Sequence, residues 1–329
     1  DRLPIPVTRQ QLIQKEEEVV NRWVFGIDNK DRDGVFVGRN LKPIELSRDY
    51  TLSLEPQFLV QRAINGQNST VSELFGLEAE LKGQLWGWDT TLDADISTFS
   101  PQDFADGSRY WGSIENDFEL PWIGEASAYL FGAYRYRTWN GSLGETDVYT
   151  ALGGFIEQEE SFDWGKLENS YIWRTGVGNY QADSASDSNL TESLRANFYG
   201  SIRSRYPIWR GNKAALTPEQ AYRYSPRAIK PGLKLNTKID TSLTAYGDGN
   251  SQATLGFAGG PELTLGTLSK PFLDYTQISI SGSLTFKQGS SPFEFDQAID
   301  LGKLEVGVTQ QIVGPLLIKA GIGMNVDPN

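Results

Sequence analysis

Period-two alternation of apolar and polar residues runs through segments much longer than an ordinary strand, and it limits the fold more than any other feature, because successive side chains on a strand point to opposite faces. Tyr50, Leu52, Leu54, Phe58 and Val60 alternate with Thr51, Ser53, Glu55, Gln57 and Gln61. Phe75, Leu77, Ala79, Leu81 and Leu85 share one face, and Gly76, Glu78, Glu80, Lys82 and Gln84 the other. The pattern returns where Leu194, Ala196, Phe198 and Ile202 oppose Arg195, Asn197, Tyr199, Ser201 and Arg203, and where Leu233, Leu235 and Ile239 oppose Lys234, Asn236, Lys238 and Asp240. Ile278, Ile280, Leu284 and Phe286 repeat it against Ser279, Ser281, Ser283, Thr285 and Lys287. Soluble strands cluster near about 5 to 6 residues, whereas a tilted strand needs about 9 to 11 to cross a bilayer. The expected fold is all-β: a single transmembrane antiparallel β-barrel over residues 1–329, roughly 14 to 16 strands, with residues 1–20 as a short lead-in.

Composition agrees and excludes much chemistry. The chain has no cysteine and no histidine, so a disulfide framework, a thiol nucleophile, a Ser-His-Asp triad and an ordinary zinc site are all excluded. A formal net charge of -12 and a pI near 4.7 suit neither a DNA nor an RNA backbone, and nucleic acid is not expected as a partner. With 34 glycines, 16 phenylalanines, 14 tyrosines and 9 tryptophans the mean hydropathy is still only -0.40, as expected when apolar residues occupy one face of each strand. No apolar run reaches the roughly 18 residues of a membrane helix. No glycine-rich loop with lysine offers a nucleotide site, and neither enzymatic activity nor a cofactor is expected.

Individual motifs are weaker. Asn29, Asp31, Asp33 and Gly34 open like a calcium-binding loop, but the closing position is Asn40, which cannot supply a bidentate carboxylate; a polar hairpin turn fits better and no metal site is expected. Glu78 and Glu80 sit two apart with Lys82 on the same face, which reads as a charged lumen rather than a catalytic pair. Arg135, Arg137, Arg195 and Arg203, with Lys234 and Lys238, are the candidate cations of the lumen. Trp86, Trp88, Trp111, Trp122, Trp139, Trp164, Trp173 and Trp209 fall near proposed strand ends, where interfacial belts form. Asn140-Gly141 and Gly247-Asp248-Gly249-Asn250 mark tight turns, while 179–190, 206–231 and 287–300 read as long loops, with a helical turn at Thr217-Pro218. Pro56 interrupts the alternation of 50–62 and Pro43 lies just ahead; since proline donates no ladder hydrogen bond, both would weaken a seam between the first and last strands and permit sideways opening.

Leu3-Pro4-Ile5-Pro6, Asp31-Arg32-Asp33-Gly34-Val35-Phe36 and the run Tyr50-Thr51-Leu52-Ser53-Leu54-Glu55-Pro56 resemble the barrel start of the LptD family of lipopolysaccharide-assembly proteins, in its divergent cyanobacterial branch. Phe295-Asp296-Gln297-Ala298-Ile299-Asp300-Leu301 and Val308-Thr309-Gln310-Gln311 are similar to the same branch, which has relatives in chloroplast envelopes. The resemblance implies a bacterial outer-membrane location, or a chloroplast outer envelope, and insertion by the barrel-assembly machinery. It implies a barrel that takes lipopolysaccharide or a related glycolipid from periplasmic Lpt bridge proteins and releases it through a lateral gate, with Pro56 and, less directly aligned, Pro43 in that gate. Family members carry an N-terminal jelly-roll domain that contacts the bridge; here it and the last C-terminal strands are expected to be absent. A smaller strand number than in the enterobacterial relatives leaves no room for an LptE-like lipoprotein plug, so the chain's own loops, 206–231 among them, are expected to fill the lumen. The alternatives are a general diffusion porin and a soluble β-sheet carbohydrate-binding protein or hydrolase.

Overall fold

The computed structural model describes residues 23–28, 34–65, 71–101, 103–121, 124–186, 189–211, 230–265, 275–311 and 317–326. They form one antiparallel sheet of sixteen strands and very little helix. In chain order the strands are β1 (Trp23–Asp28), β2 (Gly34–Arg39), β3 (Ile44–Glu45), β4 (Tyr50–Leu59), β5 (Phe75–Leu85), β6 (Trp88–Ile96), β7 (Ser108–Leu120) and β8 (Gly124–Trp139). They continue as β9 (Glu145–Trp164), β10 (Leu167–Asp183), β11 (Leu190–Arg210), β12 (Gly232–Tyr246), β13 (Ser251–Leu265), β14 (Tyr275–Gly289), β15 (Gly302–Gln311) and β16 (Leu317–Asn325). A short helix, α1 (Val60–Asn65), follows β4. Each strand pairs with its sequence neighbours, except that the two-residue β3 lies off the path beside β4. No helix among the described residues is long and apolar enough to cross a membrane.

The faces are inverted relative to a soluble sheet. On β11, Ser193, Arg195, Asn197 and Ser201 are buried while Leu194, Phe198 and Ile202 between them are exposed. On β12 and β13, Thr244, Gln252 and Thr254 are buried, and Ile239, Leu243, Leu255 and Phe257 face outward. Leu152 at 72% and Ile322 at 73% exposure show how fully the apolar face is presented. A flat sheet could not bury its polar side, and one contact demonstrates the curvature. Asp300 accepts from the backbone N–H of Ser142 beyond β8 at 3.0 Å and from the amide of Asn325 on β16 at 2.8 Å. In a flat sheet those strands, eight steps apart at about 4.8 Å each, would be about 38 Å from one another. The sheet is curled, polar side inward, which is compatible with a barrel. The strands are also long enough: β9, β10 and β11 have 20, 17 and 21 residues.

No ladder joins β1 to β16 among the described residues. Setting β3 aside leaves fifteen strands on an alternating path (16 − 1), so β1 and β16 run in the same direction and a direct join would be a parallel one. Exposed Trp86 and Trp164 sit at the turns after β5 and β9, and exposed Trp209 and Trp23 at the same end of the sheet, a position suited to a membrane interface.

The inversion predicts a substitution contrast within β14. Leu284→Arg, on the outward face, should cost about 2–4 kcal/mol of folding stability in a bilayer. Ser283→Arg, one residue away on the inward face, should be tolerated. Urea titration of both variants refolded into liposomes measures this; equal losses would contradict the facing.

Candidate functional site

Two features of the curled sheet stand out: a loop that fills one end of the enclosed space, and a weak join at its side.

The filling loop is the β14–β15 connection, 290–301, which covers all but the first three residues of the stretch 287–300 that the sequence marks as long; those three, 287–289, end β14. Instead of standing off the rim it turns inward. Phe293 and Phe295 are buried, stack on each other at 5.2 Å, and meet Tyr246 and Tyr180 at 5.9 and 5.7 Å. Around them Phe131, Phe155, Val148, Ala151 and Ala182 complete an apolar cluster inside the sheet. The interior, expected to be charged, is apolar at this end, because a loop can dock there only against apolar surface that offsets the entropy of ordering it.

Polar contacts fix the loop's register. Arg195, 4% exposed, holds the Asp296 carboxylate with two hydrogen bonds, 2.7 Å from Nε and 2.9 Å from the terminal nitrogen. The Tyr246 hydroxyl donates to the same carboxylate at 2.6 Å. Gln252 grips the loop backbone at both ends of its amide, donating to the Asp296 carbonyl at 2.7 Å and accepting from the Ala298 N–H at 3.0 Å. Asn140 donates to the carbonyls of Glu294 and Gln297, and Lys287 to that of Ala298. Gly141, with φ +50, leaves space for the Asp300 carboxylate where any Cβ would collide with it. In the loop itself, burial and then the carboxylate of Asp183 push the Glu294 carboxyl above its ordinary range.

The weak join lies between β2 and β4, where only three residue pairs connect the strands: Phe36 with Leu59, Val37 with Phe58, Gly38 with Gln57. By contrast, β10 and β11 share sixteen. The ladder stops at Pro56. The Leu54 carbonyl accepts from the Leu41 N–H on the β2 side, at 2.9 Å. Backbone groups alternate sides along a strand, so residue 56 points the same way, and proline places a ring where a donor to β2 would stand. On its other side Pro56 keeps its place opposite Leu77 of β5. Pro43 lies in the connection between β2 and β3, exposed and outside any strand. The β1–β2 hairpin thus hangs on a short ladder next to an edge with no described partner, and its Phe25 is 74% exposed.

The remaining sequence-selected residues fall on both sides of the wall. Glu78, Glu80 and Lys82 lie on the inner face of β5, in register through Asp93 with Trp111, which packs on the apolar cluster. Gln57, 1% exposed, donates to Glu55 and Glu78 at 3.0 Å each, and Lys82 pairs with Glu80 at 2.6 Å. Arg203 continues the inner face of β11 and stands opposite Lys238, which is relieved by Asp240 at 3.1 Å; Lys234 pairs with Glu262 at 2.7 Å. Arg135, with φ +51, falls where the β8–β9 ladder skips one pair, between Tyr134–Thr150 and Tyr136–Val148, beside the register shift of β9 against β10, and beyond it the facing changes. Tyr136 and Val148 pack inward, so Arg137, alternating with Tyr136 and 3.7 Å from Asp147, lies on the opposite face. The inner wall is therefore acidic along β5–β7 and cationic along β11–β12.

Asn29, Asp31, Asp33, Trp122, the lead-in 1–20 and the turn at Thr217-Pro218 lie outside the described residues. So does most of loop 206–231, of which the described part continues β11 to Arg210; likewise 179–183 belongs to β10. Tyr246 and Gln252 carried no sequence signal, and Asn140 and Asp296 were marked only as part of a tight turn and of a resembling segment, not as contacts of a docked loop.

A family model described as Protein of unknown function (DUF3769) matches residues 1–329. No curated protein and no solved structure matches the chain.

Removing one partner of a buried ion pair costs about 3–5 kcal/mol. Asp296→Asn should therefore release the loop, seen in planar bilayers as a several-fold rise in ion conductance, and conductance equal to the parent's would refute the latch. Glu294→Gln should act oppositely. Its raised carboxyl pKa means that its contribution to docking is fully present below the unfolded value of about 4.5 and is lost as pH rises through the higher folded value. The variant should therefore dock more firmly than the parent at pH 7 and no differently at pH 4.

Proposed function

The chain belongs to the DUF3769 family, and from that premise we propose that it is an outer-membrane translocon that inserts lipopolysaccharide or a related glycolipid into the outer leaflet through a lateral gate. The observation that carries the reading is the pairing of a closed end with a weak side. The 290–301 loop obstructs the axial route, while the join from β16 across β1–β2 to β4 is the least bonded part of the wall. A solute entering such a barrel from the other end has a sideways exit.

The chemistry of the cargo fits that exit. A glycolipid has a hydrated head and apolar tails, and passing tails through water is what transport must avoid. A charged inner face accommodates the head, the outward apolar face is continuous with the bilayer, and a parting seam lets one molecule be wet and greasy at once. Opening β2 from β4 breaks a three-pair ladder already stopped by Pro56, whereas opening β10 from β11 would break sixteen pairs. The resemblance of the first and last strand segments to the LptD family supports the same reading. It brings with it the periplasmic Lpt bridge as supplier and no enzymatic step in this chain.

A general diffusion porin is the second reading, favoured by the division of the inner wall into acidic and cationic halves, which sets up a transverse field of the kind that orients small solutes. The filled end counts against it.

Since the chain has no native cysteine, a Val37→Cys/Phe58→Cys pair reports cleanly on the seam. Oxidised, the translocon should lose glycolipid release while folding and basal conductance persist; a porin would continue to pass solutes unchanged. Release that survives a confirmed crosslink would rule out an exit at β2–β4. Pro56→Ala, which restores a donor toward β2, should slow release several-fold.

A further inference from the structure

At the end of the sheet opposite the filling loop, a hollow of about 230 Å³ lies on the inner face of β14–β16. It is built from two cross-strand rows. The upper row is Gln277, Thr309 and Lys319, in register across the three strands; the lower is Ser279, Gly307 and Gly321. The lower row has almost no side chain, since the two glycines face each other, and that is why the wall is hollow there. Ile278, Ile318 and Ile322 alternate with these residues and are exposed on the outer face, which fixes the direction in which the hollow opens.

The donor set is unusual for this chain. In a protein of net charge -12, no carboxylate lines the hollow. Other inner-face lysines are matched by carboxylates, Lys234 with Glu262, Lys238 with Asp240 and Lys303 with Glu305 at 2.5 Å, and Lys287 donates to the Ala298 carbonyl. Lys319 has no ion pair and Thr309 no side-chain hydrogen bond among the described residues. One uncompensated ammonium, an amide, two hydroxyls and a glycine floor exposing backbone suit a small anion bearing several hydroxyl groups. The volume lies below the roughly 300 Å³ of pockets that take drug-sized ligands, so one sugar unit fits and a whole lipid does not.

We propose that this hollow is a subsite for a phosphorylated sugar, its phosphate on Lys319 and its hydroxyls on Gln277, Ser279 and Thr309. Resting on the translocon reading, it receives the head group of the glycolipid on β16 itself, the strand whose outer edge has no partner among the described residues, before the molecule leaves sideways. The same chemistry is offered by a free sugar phosphate, and the test separates the two sources.

The full chain in phosphatidylcholine nanodiscs is titrated with glucose 6-phosphate and glucose, binding being read by saturation-transfer NMR, and with inorganic phosphate, read by its displacement of glucose 6-phosphate. Glucose 6-phosphate should bind at least tenfold more tightly than either of the others. Lys319→Gln should weaken it at least tenfold and Gly321→Val should abolish it. Lys303→Gln, whose lysine is already paired with Glu305, should leave it unchanged. Variant folding is verified by heat-modifiable gel migration. Equal affinity for glucose, or an unchanged affinity in a folded Lys319→Gln protein, overturns the subsite. Doping the nanodiscs with a diacyl glucosamine phosphate distinguishes the source: displacement of glucose 6-phosphate identifies the lipid head group, and no displacement identifies free solute. Lys319-dependent binding in a protein whose crosslinked seam still releases lipid leaves the subsite standing and removes the lateral exit. A functional seam without Lys319 dependence does the reverse.

Discussion

Backbone hydrogen bonding is the constraint from which the rest of the structure follows. In hydrocarbon an unpaired N–H or C=O has no water to satisfy it, so a sheet presenting an apolar face to lipid must pair every interior strand on both sides. From β4 to β15 every strand on the path is paired on both sides, with local interruptions at Pro207 of β11 and at Gly260-Pro261 of β13. The weakest joins lie in one sector: the short β2–β4 ladder, interrupted at Pro56, and edges at β1 and β16 whose shared direction denies them an antiparallel join. A parallel join, with slanted bonds, is somewhat less stable per residue. Under the proposed translocon reading, that sector would open without loosening the remainder.

The same economy shapes the interior. Curling the sheet buries a polar face, which is tolerable where charges are paired or solvated, as Lys234 is by Glu262. At one end the wall instead presents aromatic rings, and the 290–301 loop covers them. The buried Arg195–Asp296 pair adds direction more than strength, since desolvation cancels much of the attraction between two buried charges. Bidentate geometry, a third donor from Tyr246 and the backbone grip of Gln252 admit one register of the loop. Apolar contact seats the loop, and the ion pair decides where it sits.

Much of this was legible in the residues themselves. The alternation in 75–85 and 278–286 specified β5 and β14 together with their facing, because a period of two has one geometric meaning and a one-residue slip would put Glu78 or Ser283 on the apolar outer face. Pro56 was readable for a related reason, since a missing donor is a property of the residue in any fold. What could not be read was the partner that the missing donor faces. Pro56 weakens β2–β4 and not β4–β5 because of which side residue 56 presents, and that depends on pairing. Arg137 shows the limit of the alternation argument: the facing reverses past Arg135, where the backbone turns to positive φ beside the register shift of β9 against β10, and no local signal marks it.

The sequence by itself determined the strands, their two faces and the absence of histidine and thiol chemistry, all consequences of residue type and spacing along one chain. Only the tertiary structure decided that Asp296 would meet Arg195, a hundred residues away, that the 287–300 stretch would turn inward, and that Gly307 and Gly321 would lie side by side beneath Lys319. These depend on curvature and register, which are set by all the strands together and are written in no single segment.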